Sequence, residues 1–244
     1  MIHRRNSRTI LALLVVSVVI CAFVIAFFVE AALADEKDID IYCQKQKKKV
    51  VKLVKKPVKK TPHPYPYGKV IAKPPAKHSV LKVNGRPYYY HNGVFFWPGK
   101  NGYSVIAGPV GARISVLPPG YKRISVNNVH YYYFYGTYYR YDPVDKIYIV
   151  IESPLGAEVD ELPDGSEILY LDEQAYYYYH GTFYIYDEGR GVYIVVRAPQ
   201  GIILKTMPMG SEEVLLDGNR HFLFRGIYYQ PVVQDGVTVY KVVK

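Results

Sequence analysis

The chain is short of the residues that build disulfide scaffolds, metal sites and reactive centres. Its 244 residues include two cysteines, Cys21 and Cys43. Cys21 falls in an apolar leader, so removal of that leader leaves Cys43 alone and excludes an internal disulfide. Cys43 is then a free thiol or a link between chains. Acidic residues are missing altogether between residues 41 and 78, a stretch with twelve lysines. No nucleophile elbow, P-loop, zinc-protease helix motif or dinucleotide fingerprint occurs. Beyond residue 79 no window has a helical period. These absences point away from an enzyme and from a chain that carries a cofactor.

Residues 1–34 read as an export signal. Arg4, Arg5 and Arg8 precede the apolar run Ile10–Val29, and Ala32-Leu33-Ala34 has the small-x-small form of a signal-peptidase site. The run is also long enough to span a bilayer, so an inner-membrane anchor over residues 9–29 is the alternative. Residues 35–78 read as a flexible Lys/Pro-rich linker. Its net charge is +9, against +2 for the leader and −1 for residues 79–244. The basic character of the protein belongs to this tail. Lys47, Lys48, Lys49, Lys52, Lys55, Lys56, Lys59 and Lys60 are the candidate tether to an anionic surface. Lys47–Lys56 has the pattern of a short amphipathic helix that Pro57 would stop.

The remainder, 79–244, is a repeat. Its hairpin glycines Gly93, Gly136, Gly181 and Gly226 recur at about 45-residue spacing. Pro-x-Gly elements at Pro109, Pro154 and Pro199 keep the same step, as do the turns ending at Gly120, Gly165 and Gly210. Between turns lie short runs of Val, Ile, Tyr, Phe and Thr, which suit strands. Each unit therefore predicts an antiparallel meander, with strands near 124–126, 130–134, 137–141 and 147–151 in the second copy. A fifth short strand is expected over 157–161, after the Pro-x-Gly turn. The expected units are 80–120, 121–165, 166–210 and 211–244, the last lacking its fifth strand.

Units this small need a shared core. The favoured arrangement is all-β, an elongated array of small sheets or SH3-like barrels behind an N-terminal hydrophobic helix and a disordered basic linker. Alternatives are a closed four-bladed propeller, its short last unit completed by a strand near Val80–Val83, and one twisted super-sheet.

Tyrosine dominates the chemistry, with 24 of the 27 tyrosines in residues 79–244. Consecutive tyrosines put rings on both faces of a strand. One reading is cross-strand ladders. The other is an exposed platform, for which Tyr89, Tyr132, Tyr139, Tyr177 and Tyr184 are the candidates. His91, His130, His180 and His221 lie two, six, one and five residues before their glycines, so no ligand position repeats. Asp160, Glu161, Asp164, Asp187 and Glu188 fall in turns, where local hydrogen bonding explains them. Neither a catalytic set nor a metal site is expected.

The run LPPGYKRISVNNVHYYYFYGTYYRY (117–141), continued by IYIVIESPLGAEVDELPDG (147–165), resembles the tyrosine-rich YYxxGxYY repeat proteins of Gram-negative bacteria, known only as a domain of unknown function. The likeness covers residues 80–243; Phe222-Leu223-Phe224 departs from it, and the lysine tail is not part of the motif. It implies an exported protein of the periplasm or outer envelope with no activity to carry over. The expected partners are anionic lipid, lipopolysaccharide or cell-wall polymer, with protein partners or self-association also open. An export signal removes nucleic acid as a partner, and glycan or peptidoglycan binding through tyrosines is the alternative role.

Overall fold

The structure is a computed structural model that describes Lys60, Thr61 and residues 65–243. Every regular element among them is a strand. Strand β1 is Lys60–Thr61. The first sheet contains β2 (Val70–Ile71), β3 (Ser79–Val83), β4 (Arg86–His91), β5 (Val94–Gly99) and β6 (Gly102–Ile106). The second contains β7 (Arg113–Ile114), β8 (Lys122–Val126), β9 (Val129–Phe134), β10 (Thr137–Asp142) and β11 (Ile147–Ile151). In the third are β12 (Glu158–Val159), β14 (Glu167–Leu171), β15 (Gln174–Tyr179), β16 (Thr182–Asp187) and β17 (Val192–Val196), while β13 (Leu162–Pro163) pairs with β1 instead. The fourth holds β18 (Ile203–Leu204), β19 (Glu212–Leu216), β20 (Asn219–Phe224), β21 (Ile227–Gln234) and β22 (Val237–Val242).

All four sheets have one topology. Four strands form a meander, and the short strand that precedes them in sequence pairs antiparallel with the last. The hairpins between the second and third long strands turn on Asn92-Gly93, Tyr135-Gly136, His180-Gly181 and Arg225-Gly226, with positive φ at both residues of each. That geometry matches the twist of the flanking strands. Only the first pair is of the easy Asn-Gly type. Tyr135, His180 and Arg225 hold φ of 43°, 42° and 49°, a strained region for bulky side chains.

The short strand corrects the expected phase. The strand anticipated over 157–161 forms as Glu158–Val159, but it pairs with Val192–Val196 of the following sheet. The last unit therefore has its fifth strand, Ile203–Leu204, and needs none from Val80–Val83, which belong to the first sheet. The Pro-x-Gly turn makes the hand-over. Gly111 N–H donates to Val150 O, Gly156 to Val195 O and Gly201 to Val242 O. Gly68 N–H donates to Val105 O in the same way, so Pro66-Tyr67-Gly68 is a fourth such turn. Residues 65–78, expected in the linker, thus open the first unit. A pair of ions repeats with its signs exchanged: Arg113 on β7 meets Asp145, and Glu158 on β12 meets Arg190.

The sheets are arranged as the blades of a four-bladed propeller, the alternative to the favoured elongated array. The meanders of sheets two and three are apolar on both faces, because each packs on a neighbouring sheet on either side. Phe96, Tyr139, Tyr184 and Tyr229 occupy one equivalent position in the third long strand, all with 0% exposure. Phe95, Val83, Ala112, Ile114, Tyr139 and Val150 fill the seam between sheets one and two. Tyr133, Tyr138, Val159, Leu162, Tyr184 and Val195 fill the next. Tyr178, Phe183, Ile202, Leu204, Tyr229 and Val242 fill the third. Sheets four and one meet through Arg86 and Glu212 at 3.1 Å, a contact that an extended array does not allow. The expected N-terminal helix lies outside the described residues.

Candidate functional site

Two features arise where the repeats place equivalent side chains together. The first is a set of aromatic clusters, one in each sheet. In sheet two Tyr132 meets Tyr148 edge-on at 5.2 Å, Tyr148 meets Tyr141 at 5.1 Å and Tyr121 meets Tyr132 at 5.6 Å. Sheet three repeats this with Tyr177, Tyr193 and Tyr186, at 5.0 Å and 4.9 Å. In sheet one Tyr89 and Tyr103 remain, at 4.8 Å, and in sheet four Phe222 and Tyr240, at 5.5 Å. The third member becomes Pro98 or Pro231 there. Tyr121 and Tyr141 are exposed, so sheet two has the most open of these clusters. Edge-to-face contact satisfies ring quadrupoles and leaves hydroxyls for water or a polar partner.

The second feature is where the hairpin tips converge. Three of the four tip glycines abut the next sheet: a Cβ on Gly93 would meet Phe134, on Gly136 would meet Tyr179, and on Gly181 would meet Phe224, whereas one on Gly226 would lie near the Glu152 carboxylate. Tyr67 stacks on His180 with ring centroids 3.2 Å apart, and its hydroxyl accepts from Met209 N–H at 2.8 Å. Tyr65 meets Phe96 edge-on at 5.5 Å. Arg225 donates to Gly108 O at 2.6 Å, linking the fourth sheet to the loop after the first. Ser153 and Thr182 hydroxyls pair at 2.6 Å, and Tyr138 and Tyr184 hydroxyls at 3.2 Å.

Burial sets the electrostatics of this region. Desolvation, then the Arg225 charge, pulls the His180 imidazole down to about 3, so it is neutral at ordinary pH. Desolvation raises Tyr133, Tyr138, Tyr139 and Tyr178, and pushes Tyr90 and Tyr184 up to about 12. Tyr90, Tyr133 and Tyr178 stand three residues before their hairpin glycines. Each hydroxyl faces that glycine's N–H, which opposes the desolvation, without completing a hydrogen bond of normal geometry. In the fourth copy Leu223 takes the tyrosine's place.

Of the five tyrosines expected on a surface, Tyr139 and Tyr184 are wholly buried in seams. They alternate correctly, but a neighbouring sheet covers the face they occupy. Tyr89, Tyr132 and Tyr177 are half-buried members of the aromatic clusters. Asp187 ends β16 and is held by Arg190, whose side-chain hydrogen bond keeps its carboxyl below the usual range. Among the described residues no three His, Cys, Asp or Glu side chains gather as a metal site. Nor is any helix there long and apolar enough to cross a membrane. Lys47, Lys48, Lys49, Lys52, Lys55, Lys56, Lys59 and Cys43 lie outside the described residues. Lys60 lies within them, in β1.

A family model matches this chain twice, over residues 45–143 and 140–244. The chain belongs to DUF6515, a family of unknown function. The first match covers sheet one and sheet two to the end of β10, and the second takes β11 together with sheets three and four. The first begins inside the lysine run. No curated protein and no solved structure matches the chain. Sequence reasoning missed Tyr67, His180 and Arg225 as a group. The signal was present in Pro66-Tyr67-Gly68, which stands 43 residues before Pro109.

Proposed function

We propose that this member of DUF6515 is a non-enzymatic, exported envelope protein of the tyrosine-rich YYxxGxYY kind, with a structural or interaction role. The propeller is the rigid body, and the lysine tail tethers it to an anionic surface: lipid, lipopolysaccharide or cell-wall polymer. One observation carries this reading. The nine lysines from Lys45 to Lys60 meet no acid in their own stretch, while residues 79–244 net −1. Near an anionic bilayer each lysine contributes roughly 1 kcal/mol, less at high salt. The leader of residues 1–34 supports export to a compartment that holds such surfaces.

Co-sedimentation with phosphatidylglycerol-containing vesicles tests the proposal. The chain without its leader, residues 35–244, is expected to bind them in a salt-sensitive way and to ignore phosphatidylcholine. Deletion of residues 45–56 is expected to abolish that binding, and equal binding by the deleted chain would refute the tether. Sugar binding is the second reading, favoured by the exposed Tyr121 and Tyr141 beside Tyr132 and Tyr148. It predicts that Tyr121→Ala and Tyr141→Ala weaken binding to cell-wall glycan without lowering the melting temperature.

A further inference from the structure

The repeats create matching spaces at two places in the ring, and the two are filled differently. Gly68 N–H donates to Val105 O and Gly156 N–H to Val195 O, so the Pro66-Tyr67-Gly68 turn of sheet one matches the Pro154-Leu155-Gly156 turn of sheet three. The hairpin tips beside them match as well, Asn92-Gly93 with His180-Gly181 and Tyr135-Gly136 with Arg225-Gly226. At the first place Tyr65 meets Phe96 edge-on and Tyr67 stacks on His180. What remains there is a cavity of about 20 Å³ beside Gly93 and Ala107, room for one water. At the second place Ser153 stands where Tyr65 does and Leu155 where Tyr67 does, and the cavity is about 390 Å³. That is the size of a small-molecule pocket.

The wall chemistry changes with the volume. Arg225 takes the place of Tyr135, Arg197 that of Ala107 and Thr182 that of Val94, and the exposed Glu152 joins them. Two guanidinium groups against one carboxylate leave this lining with positive charge in excess. Arg225 is half-buried and donates to Gly108 O, and among the described residues no ion pair forms to it; Glu152 attracts it only from a distance. A guanidinium has five N–H donors, so Arg225 keeps several for a group in the pocket it lines. Its fork suits a carboxylate and its flat face suits a ring. The Ser153 and Thr182 hydroxyls, paired at 2.6 Å, add a polar edge, and Phe183, Val196 and Ile227 add apolar wall.

We propose that this pocket between sheets three and four binds a small aromatic carboxylate. Its ring takes the space that Tyr67 fills at the matching place, and its carboxylate lies on Arg225 and Arg197. One kind of site is thus used twice, closed by the chain's own tyrosines in sheet one and open to a free ligand in sheet three. The pocket is separate from the lysines of residues 45–56, so the proposal stands whether or not they tether the protein to a surface.

An NMR titration of the full chain with para-hydroxyphenylacetate tests this. Saturable binding at one site is expected, with the amide signals of Thr182, Arg225 and Gly226 moving together. The neutral amide of the same acid, and acetate, are each expected to bind at least tenfold more weakly. Leu155→Tyr rebuilds the filled form of the site and is expected to abolish binding while leaving the melting temperature unchanged. Arg197→Ala is expected to weaken binding and Glu152→Gln to tighten it; all three substitutions change exposed side chains, so the fold survives them. Binding that Leu155→Tyr leaves intact would place the ligand elsewhere, on the lysine tail for instance, and overturn the proposal. Acetate bound as tightly as the aryl acid would overturn it too, as would no saturation at about 10 mM ligand.

Discussion

Three seams of this propeller and its fourth are built from different chemistry. Between sheets one and two, two and three, and three and four, fully buried Tyr, Phe, Val, Ile and Leu interlock. The first sheet's remaining face gathers Val94, Phe96 and Val105 around Tyr65 and Ile71, with no buried residue of the fourth sheet in that cluster. Ring closure relies instead on Arg86 with Glu212, on Arg225 with Gly108 O, and on Tyr67 reaching His180 and Met209 N–H. A chain that folds in sequence order builds its dry seams between consecutive units. Its ends then meet last, through groups that tolerate water. The worn fourth copy fits this, because Leu223 and Phe222 replace tyrosines where the sheet no longer has a successor in the chain.

The sharpest break between the two kinds of seam is a truncation in a dry one. Tyr139→Ala or Tyr184→Ala removes a ring with 0% exposure, and a loss of about 3–5 kcal/mol is expected in urea unfolding. Gly136→Ala comes next, because a Cβ there lies 2.4 Å from the Tyr179 ring at a φ of +81°. It is expected to cost about 2–4 kcal/mol. Gly218→Ala meets nothing within 4 Å and is expected to cost about 1 kcal/mol, from backbone strain alone.

A pH dependence follows from His180. Its folded-state value of about 3 lies below the ordinary imidazole range, so the unfolded chain binds the extra proton between those limits. Stability from this group is full above about pH 6.5 and falls as pH drops toward 3. Between pH 7 and 5 the loss is expected to be about 2 kcal/mol, read from urea midpoints. His180→Asn, which keeps a residue that accepts positive φ, is expected to flatten that slope. The smallest effect belongs to the closing pair. Arg86→Ala or Glu212→Ala is expected to cost less than about 1 kcal/mol, and that cost is expected to disappear in 1 M salt.

The period, the strands and their turns were legible because each depends on local residues: the glycines that permit positive φ, and the β-branched and aromatic runs between them. The phase of the unit was not. Whether Glu158–Val159 pairs backward or forward depends on Val192–Val196, more than thirty residues away. The Pro66-Tyr67-Gly68 turn was overlooked because it sits among lysines and prolines that read as linker. Tyr132 and Tyr139 pair across β9 and β10 and so share a face of sheet two. What alternation does not reveal is how deeply a neighbouring sheet covers that face, so Tyr139 was expected on a surface and is buried in a seam.

The central claim is closure: sheet four returns to sheet one. Spin labels at Arg86→Cys and Glu212→Cys, with Cys21→Ser and Cys43→Ser, test it in one distance. The closed ring predicts a separation under about 20 Å, whereas four sheets stacked in a row about 10 Å apart place the labels roughly 30 Å or more from each other, and that result would contradict it.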